Sequence, residues 1–327
     1  MKSRVSKRTR PRRIIAVSLF TASALAALSN HAFSDSGKIA FTSNRDGKPA
    51  IYIMNSDGGN PVRLSSGSHP SWSPDGNRIA FSFGLGRFHG DISDIYVMDA
   101  DGKNRANLTK GRHKVNREPD WSPDGEKIAF TSNRGGQTNI YVMDADGKNT
   151  VNLTPDLEFA YSPDWSPDGK RIVFGADRDI FVMDVRGANR INLTQNPRAL
   201  NLTPNWSPDG RKIAYSTSPK PGLWFAPFNI YLMNADGTNP TMLTEARRWA
   251  YEYTPCWSND GSSIVYDRQE PDGTSDIYVI NADGSGTANL TRMPRVEDYS
   301  ASWSRSGLSV PQTKRLTTSW GELKRKQ

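Results

Sequence analysis

The chain has 327 residues, 35% of them hydrophobic, with 27 Gly, 21 Pro and one cysteine, Cys256. A single cysteine excludes an intrachain disulfide, and so much Gly and Pro argues against a fold of long helices. The formal charge of +8 misdescribes the body: residues 1–13 carry seven basic groups and no acid, residues 311–327 a net +4, and residues 14–310 are left at −3, which removes the main support for a nucleic-acid partner.

In chain order, residues 1–32 read as a signal peptide. A basic stretch precedes an apolar run from Ile14 to Leu28, and small residues lead to an expected cleavage after Ala32. The run is shorter than the roughly 20 residues that span a bilayer. A periplasmic or secreted protein is expected, with no lipid anchor, since no cysteine stands near the cleavage region.

Residues 33–310 form the next unit, and it is repetitive. "WSPDG" stands at 72–76, 121–125, 165–169 and 206–210, with variants "WSNDG" at 257–261 and "WSRSG" at 303–307. The tryptophans are spaced 49, 44, 41, 51 and 46 residues apart. An apolar triplet such as "IAF" follows each of the first five, and another "IAF" at 39–41 precedes them all. Each triplet leads to a segment such as "IYVMD", then a turn, then "NLT" or a close variant. Short runs of Ile, Val, Tyr and Phe bounded by Gly, Pro, Asp and Asn are strands. The unit therefore has four strands: A (Pro-x-Trp-Ser), B (Ile-Ala-Phe), C (Ile-Tyr-Val-Met) and D (ending Leu-Thr). Repeated six times, it predicts an all-β, six-bladed β-propeller of antiparallel blades. The chain enters at strand B of blade 1 and leaves after a lone strand A, so that last strand is expected to pair into the first blade.

The repeat "PxWSPDGxxIAF…IYVMDADGxNxxxLT" resembles that of the TolB-type propellers, over residues 37 to about 307. The resemblance implies a periplasmic, protein-binding propeller. TolB-type proteins also carry an α/β domain before the propeller; here only a few residues separate the expected signal peptide from the first strand, so the propeller alone is expected.

The repeated "DADG" opens like a calcium loop, but its acids drift between copies. The first becomes Asn in three of them, and Arg186 stands at the second acid's place in "DVRG". The glycine stays in every copy, as a tight turn requires. "SPDG" reads as the A–B turn. Four of the five "NLT" sequons, at Asn107, Asn152, Asn192 and Asn289, belong to strand D; the fifth is at Asn201.

Strand direction puts the A–B and C–D turns on one face and the irregular B–C and D–A connections on the other, where binding groups are expected. The candidates there are Trp224, Phe225 and Phe228 in the blade 5 B–C loop, which either bind or fold back over their blade. Around the channel mouth they are His69, Arg117, Glu118, Tyr161, Glu252, Tyr253, Asp298 and Tyr299. His69, Glu118, Ser162, Thr203, Thr254 and Ser300 each lie three residues before a strand-A tryptophan. No nucleophile elbow or zinc-protease motif is found. No catalytic residue, cofactor or metal is assigned, and His31, His69, His89 and His113 are scattered. The tail at 311–327 is a frayed basic end or a short amphipathic helix touching a membrane or partner. The reading is a monomeric, non-catalytic scaffold with a protein or peptide partner in the cell envelope. The alternative is a carbohydrate-active or other hydrolytic enzyme using paired carboxylates at the mouth, Glu118 with Glu252 or Asp298.

Overall fold

The structure is a computed structural model that describes residues 37–84, 92–110, 114–196, 198–218 and 226–304. The expected signal peptide, the tail, Trp224, Phe225, His89 and His113 lie outside the described residues.

The described residues form 24 strands and no helix. Blade 1 contains β1 (Lys38–Ser43), β2 (Ala50–Asn55) and β3 (Val62–Ser66). Blade 2 is β4 (Ser68–Trp72), β5 (Arg78–Gly84), β6 (Ser93–Asp99) and β7 (Ala106–Asn107). Blade 3 is β8 (Asn116–Trp121), β9 (Lys127–Ser132), β10 (Asn139–Asp144) and β11 (Val151–Asn152). Blade 4 is β12 (Ala160–Trp165), β13 (Arg171–Ala176), β14 (Asp179–Asp184) and β15 (Ile191–Asn192). Blade 5 is β16 (Leu200–Trp206), β17 (Lys212–Ser218), β18 (Asn229–Asn234) and β19 (Thr241–Met242). Blade 6 is β20 (Tyr251–Trp257), β21 (Ser263–Gln269), β22 (Ser275–Asn281) and β23 (Ala288–Asn289). The last strand, β24 (Asp298–Trp303), pairs antiparallel with β1, matching Ile39 to Trp303 and Ser43 to Asp298. Blade 1 is thus built from both ends of the domain, as the repeat count predicts. The six A strands (β4, β8, β12, β16, β20, β24) touch one another in a closed ring around the axis.

Each blade buries both faces against its neighbours, so strand B shows no polar alternation. The core is a set of layers between blades. Ala80, Ile95 and Val97 of blade 2 pack on Trp121, Ile128 and Phe130 of blade 3. Ile39, Phe41 and Trp303 of blade 1 pack on Val265, Ile277 and Val279 of blade 6. Burying one such large side chain contributes roughly 1.5–3 kcal/mol.

The repeated polar motifs are structural. In blade 2, Asn107 Nδ2 donates to Asp94 (2.9 Å), the Thr109 hydroxyl donates to Asp94 (2.7 Å), and Ile95 N–H donates to Thr109 Oγ1 (3.0 Å). "NLT" therefore ties the two-residue outer strand to strand C. In the "DADG" turn, Asp101 Oδ1 accepts the Lys103 N–H (3.0 Å). The turn glycine has a second reason beyond its positive φ. At Gly187 (φ +82°) a Cβ would lie 2.5 Å from the Leu153 carbonyl oxygen of the neighbouring blade. In blades 2 to 6 the two-residue outer strands also leave little unpaired edge.

Candidate functional site

The channel wall is set by one irregularity present in all six A strands. His69, Glu118, Ser162, Thr203, Thr254 and Ser300 all have positive φ, between 46° and 56°. The pairing with strand B slips there, a β-bulge in every blade. The first five precede a proline, the sixth Ala301. The N–H freed at the bulge is taken up by a side chain across the blade boundary. His69 N–H donates to Thr42 Oγ1 (3.0 Å), Glu118 N–H to Ser82 Oγ (3.2 Å), and Ser162 N–H to Thr131 Oγ1 (3.1 Å).

Below the bulges a second ring joins the blades. At five of the six blade boundaries the residue before one strand-A tryptophan accepts the N–H of the next blade's tryptophan; at the sixth, the Ser71 hydroxyl donates to Asp120 (3.2 Å). Asp120 receives Trp165 (2.9 Å), Asp164 receives Trp206 (2.7 Å), and Asn205 receives Trp257 (3.1 Å). Cys256 Sγ receives Trp303 (3.4 Å), and Ser302 receives Trp72 (3.4 Å).

Strand alternation then sorts the candidates. Side chains one residue apart point to opposite faces. Tyr253 and Tyr299 are half-buried on the channel side, whereas their neighbours Glu252 and Asp298 have no exposed surface. Glu252 accepts from Arg268 Nε (2.9 Å) and Nη2 (2.5 Å), and from the Thr244 hydroxyl. Asp298 accepts from Arg45 Nη2 at 3.1 and 3.2 Å. Burial pushes both carboxyls up; Thr244 and Arg268 counter it at Glu252, and Ser43 and Arg45 at Asp298.

Glu118 is placed differently. Its Oε2 accepts the Thr131 hydroxyl (2.7 Å) and the Ser162 N–H (2.9 Å), and Arg117 Nε lies 3.3 Å from Oε1. Burial works against its charge, but Arg117, His69, Thr131 and Ser162 together hold it below the ordinary glutamate range. The His69 ring meets Tyr299 edge-on at 6.0 Å.

Aromatics gather on the same face. Phe228 lies 5.0 Å from Tyr253 and 6.2 Å from Tyr251, and the two tyrosine rings are nearly parallel at 6.3 Å. Trp249 is 41% exposed two residues away in the chain. Tyr161 packs on Phe159 at 5.1 Å and donates to the Asn201 carbonyl at 3.3 Å. The structure thus joins Phe228 with Tyr253, and His69 with Glu118 and Tyr299, while Glu252 and Asp298 belong to ion pairs. Tyr251, Phe159, Arg45 and Arg268 are missing from the sequence reading; Arg45 had a signal in "TSNRDG" at 42–47, which recurs as "TSNRGG" at 131–136, whereas Arg268 had none.

With the ring described, its relatives can be compared. The family described as TolB beta propeller domain matches residues 65–180 and 139–320. The chain belongs to the TolB β-propeller family. Among solved structures, TolB from Acinetobacter baumannii is similar at 25% identity with a TM-score of 0.69, over 82% of this chain and 67% of that one. The putative TolB from Agrobacterium tumefaciens is similar at 20% identity and TM-score 0.59, over 82% and 99%. An oligogalacturonate lyase in complex with manganese shares the fold at 15% identity and TM-score 0.54, over 79% and 74%. Comparison with curated proteins finds no match.

Within this TolB-family ring one strand-B position varies from blade to blade. The residue after the "IAF" triplet is Thr42, Ser82, Thr131, Gly175, Ser216 and Asp267 in blades 1 to 6. Gly175 makes room for a ring: a Cβ there would lie 2.5 Å from Tyr161 Cε2. Asp267 puts a carboxyl where the other blades carry a hydroxyl or nothing.

Proposed function

We propose that the chain is an exported, non-catalytic binding scaffold of the cell envelope that takes a protein or peptide segment on the B–C and D–A face. The observation that carries this reading is the division of side chains on β20 and its entrance. Glu252 points inward to Arg268, while Tyr251 and Tyr253 stay partly open beside Phe228, with Trp249 exposed before them. Aromatic anchors of this kind carry binding energy at protein interfaces. Membership of the TolB family supports a protein partner, and the grammar of residues 1–32 supports export. The hydrolytic alternative gains no support from the rim, because Glu118, Glu252 and Asp298 each lie against a guanidinium.

The test is affinity capture from an envelope extract on immobilised mature protein, beside a Trp249→Ser/Tyr251→Ser variant and an Arg186→Glu variant on the turn face. A partner kept by wild type and Arg186→Glu but lost by the aromatic variant is the expected result. Equal retention by all three, or none, counts against this face.

A further inference from the structure

At and behind the channel mouth three carboxylates are neutralised by a guanidinium: Asp298 by Arg45, Glu252 by Arg268, Glu118 by Arg117. Asp267 is 5% exposed and pairs with no cation among the described residues; Arg268, next in the chain, is turned to Glu252. Asp267 Oδ1 accepts the Thr254 hydroxyl and, across the seam to blade 1, the Ser300 N–H at 3.2 Å. At the equivalent bulges of blades 2 and 3 that N–H is satisfied by the uncharged hydroxyl of Thr42 or Ser82, and at blade 4 the Thr131 hydroxyl shares it with the Glu118 carboxylate, itself held by Arg117. The bulge therefore needs an acceptor, not a charge, and the charge of Asp267 is left over.

Two tyrosines flank this seam on the channel side. Tyr253 is the register partner of Asp267 on β20, and Tyr299 precedes Ser300 on β24. Both are ionisable; burial raises the two hydroxyls' pKa, and negative charge raises it further, from Asp267 and Tyr251 at Tyr253 and from Glu297 and Asp267 at Tyr299. Buried charges in proteins are paired or neutralised. Here burial lifts the carboxyl to about 7, so near neutral pH it holds a proton that a ligand cation can displace. A carboxylate beside aromatic faces suits an ammonium, which gains both an ion pair and a cation–π contact.

We infer that the seam between blades 6 and 1 binds a primary ammonium group, a lysine side chain or a free peptide N-terminus, with Asp267 as counterion and Tyr253 and Tyr299 as walls. The inference rests on the peptide-scaffold reading, since the ammonium would be carried by the bound segment. Binding deprotonates Asp267: its O–H proton goes to solvent and the ammonium takes its place.

Carbon-detected NMR titration of the Asp267 carboxyl tests this in three arms: N-acetyl-lysine methylamide, alanine methylamide, and the neutral N-acetyl-norleucine methylamide. The expected result is a fall of at least one pH unit in the Asp267 midpoint with lysine or alanine, and none with norleucine. The responding arm tells side chain from N-terminus. Asp267→Asn retains an acceptor for Ser300 and is expected to weaken binding of the active probe at least tenfold; Tyr253→Leu is expected to weaken it several-fold. An unmoved midpoint in all arms, an equal shift with norleucine, or undiminished binding to Asp267→Asn overturns the proposal. The wild-type titration decides the matter even if the variant fails to fold. A partner captured by the aromatic face alongside a silent titration would sink this inference and leave the scaffold reading standing.

Discussion

Replacing Gly175 by alanine puts a single methyl group where the blade 4 wall has none to spare. The backbone tolerates the change, since φ at Gly175 is not positive. The difficulty is Tyr161: the added Cβ would lie 2.5 Å from its Cε2, 2.7 Å from Cζ and 3.0 Å from its hydroxyl. Carbon atoms rest about 3.5–4.0 Å apart, so the ring must move by roughly 1 Å. It is held by Phe159 and by the Asn201 carbonyl. Overpacking of this kind costs about 1–3 kcal/mol, and losing the hydroxyl's bond adds roughly 0.5–1.5 kcal/mol. With Tyr161→Ala in place the clash disappears. Gly175→Ala should then be neutral, or stabilising by about 0.4–1 kcal/mol through the unfolded chain. Urea unfolding followed by tryptophan fluorescence on the four proteins of the cycle measures the difference. The expected coupling is about 1.5–4 kcal/mol. An equal loss from Gly175→Ala in both backgrounds would refute the packing account of this glycine.

Asp267 titrates at about 7 in the folded protein against 3.8 for a free side chain. The folded state keeps its proton longer, so this group's contribution is full below pH 4 and is lost as pH rises to 7. Asp267→Asn should therefore gain stability over wild type with rising pH, by up to about 4 kcal/mol, then level off; a pH-independent difference in melting would contradict this. Arg45→Ala strands Asp298, which has no exposed surface, and should destabilise by about 3–5 kcal/mol; a loss under 1 kcal/mol on urea denaturation would be inconsistent with a buried charge. Thr154→Val removes the acceptor of the Ile140 N–H (3.0 Å) and should cost about 1–3 kcal/mol, with faster hydrogen exchange at Ile140 as the local signature.

The fold was legible because it is written six times. "WSPDG" and "IAF" mark turns and strands whose local chemistry repeats, so strand order, closure by Trp303 and the turn role of "DADG" follow from spacing. The site was less legible because it consists of departures from the repeat. Glu252 and Tyr253 look equivalent as neighbours in a string; the period of two puts one in an ion pair and the other on the channel. The arginine partners of Glu252 and Asp298 are departures too: Arg268 lies on strand B (β21) as the register partner of Glu252 but matches no residue of the other blades, and Arg45 follows β1 in a "TSNR" that recurs only in blade 3. Asp267 was readable in principle, as the one acid in a column of Thr, Ser and Gly, but only after all six copies are aligned on strand B. The bulge ring had a signal too: a residue before proline, three places ahead of each of five tryptophans.

The closing blade also sets the order of events in folding. Five blades are hairpins of near neighbours, whereas Ile39 must find Trp303 across 264 residues. Loop-closure entropy for that span is roughly 5 kcal/mol, against about 2 kcal/mol for a dozen-residue hairpin. Until β24 arrives, β1 has an unpaired inner edge and blade 6 an uncovered flank of Val265, Ile277 and Val279. A chain emerging in sequence order holds those two surfaces apart to the last, so the slowest step in folding should be ring closure, and a translation stall before residue 298 should leave an aggregation-prone arc.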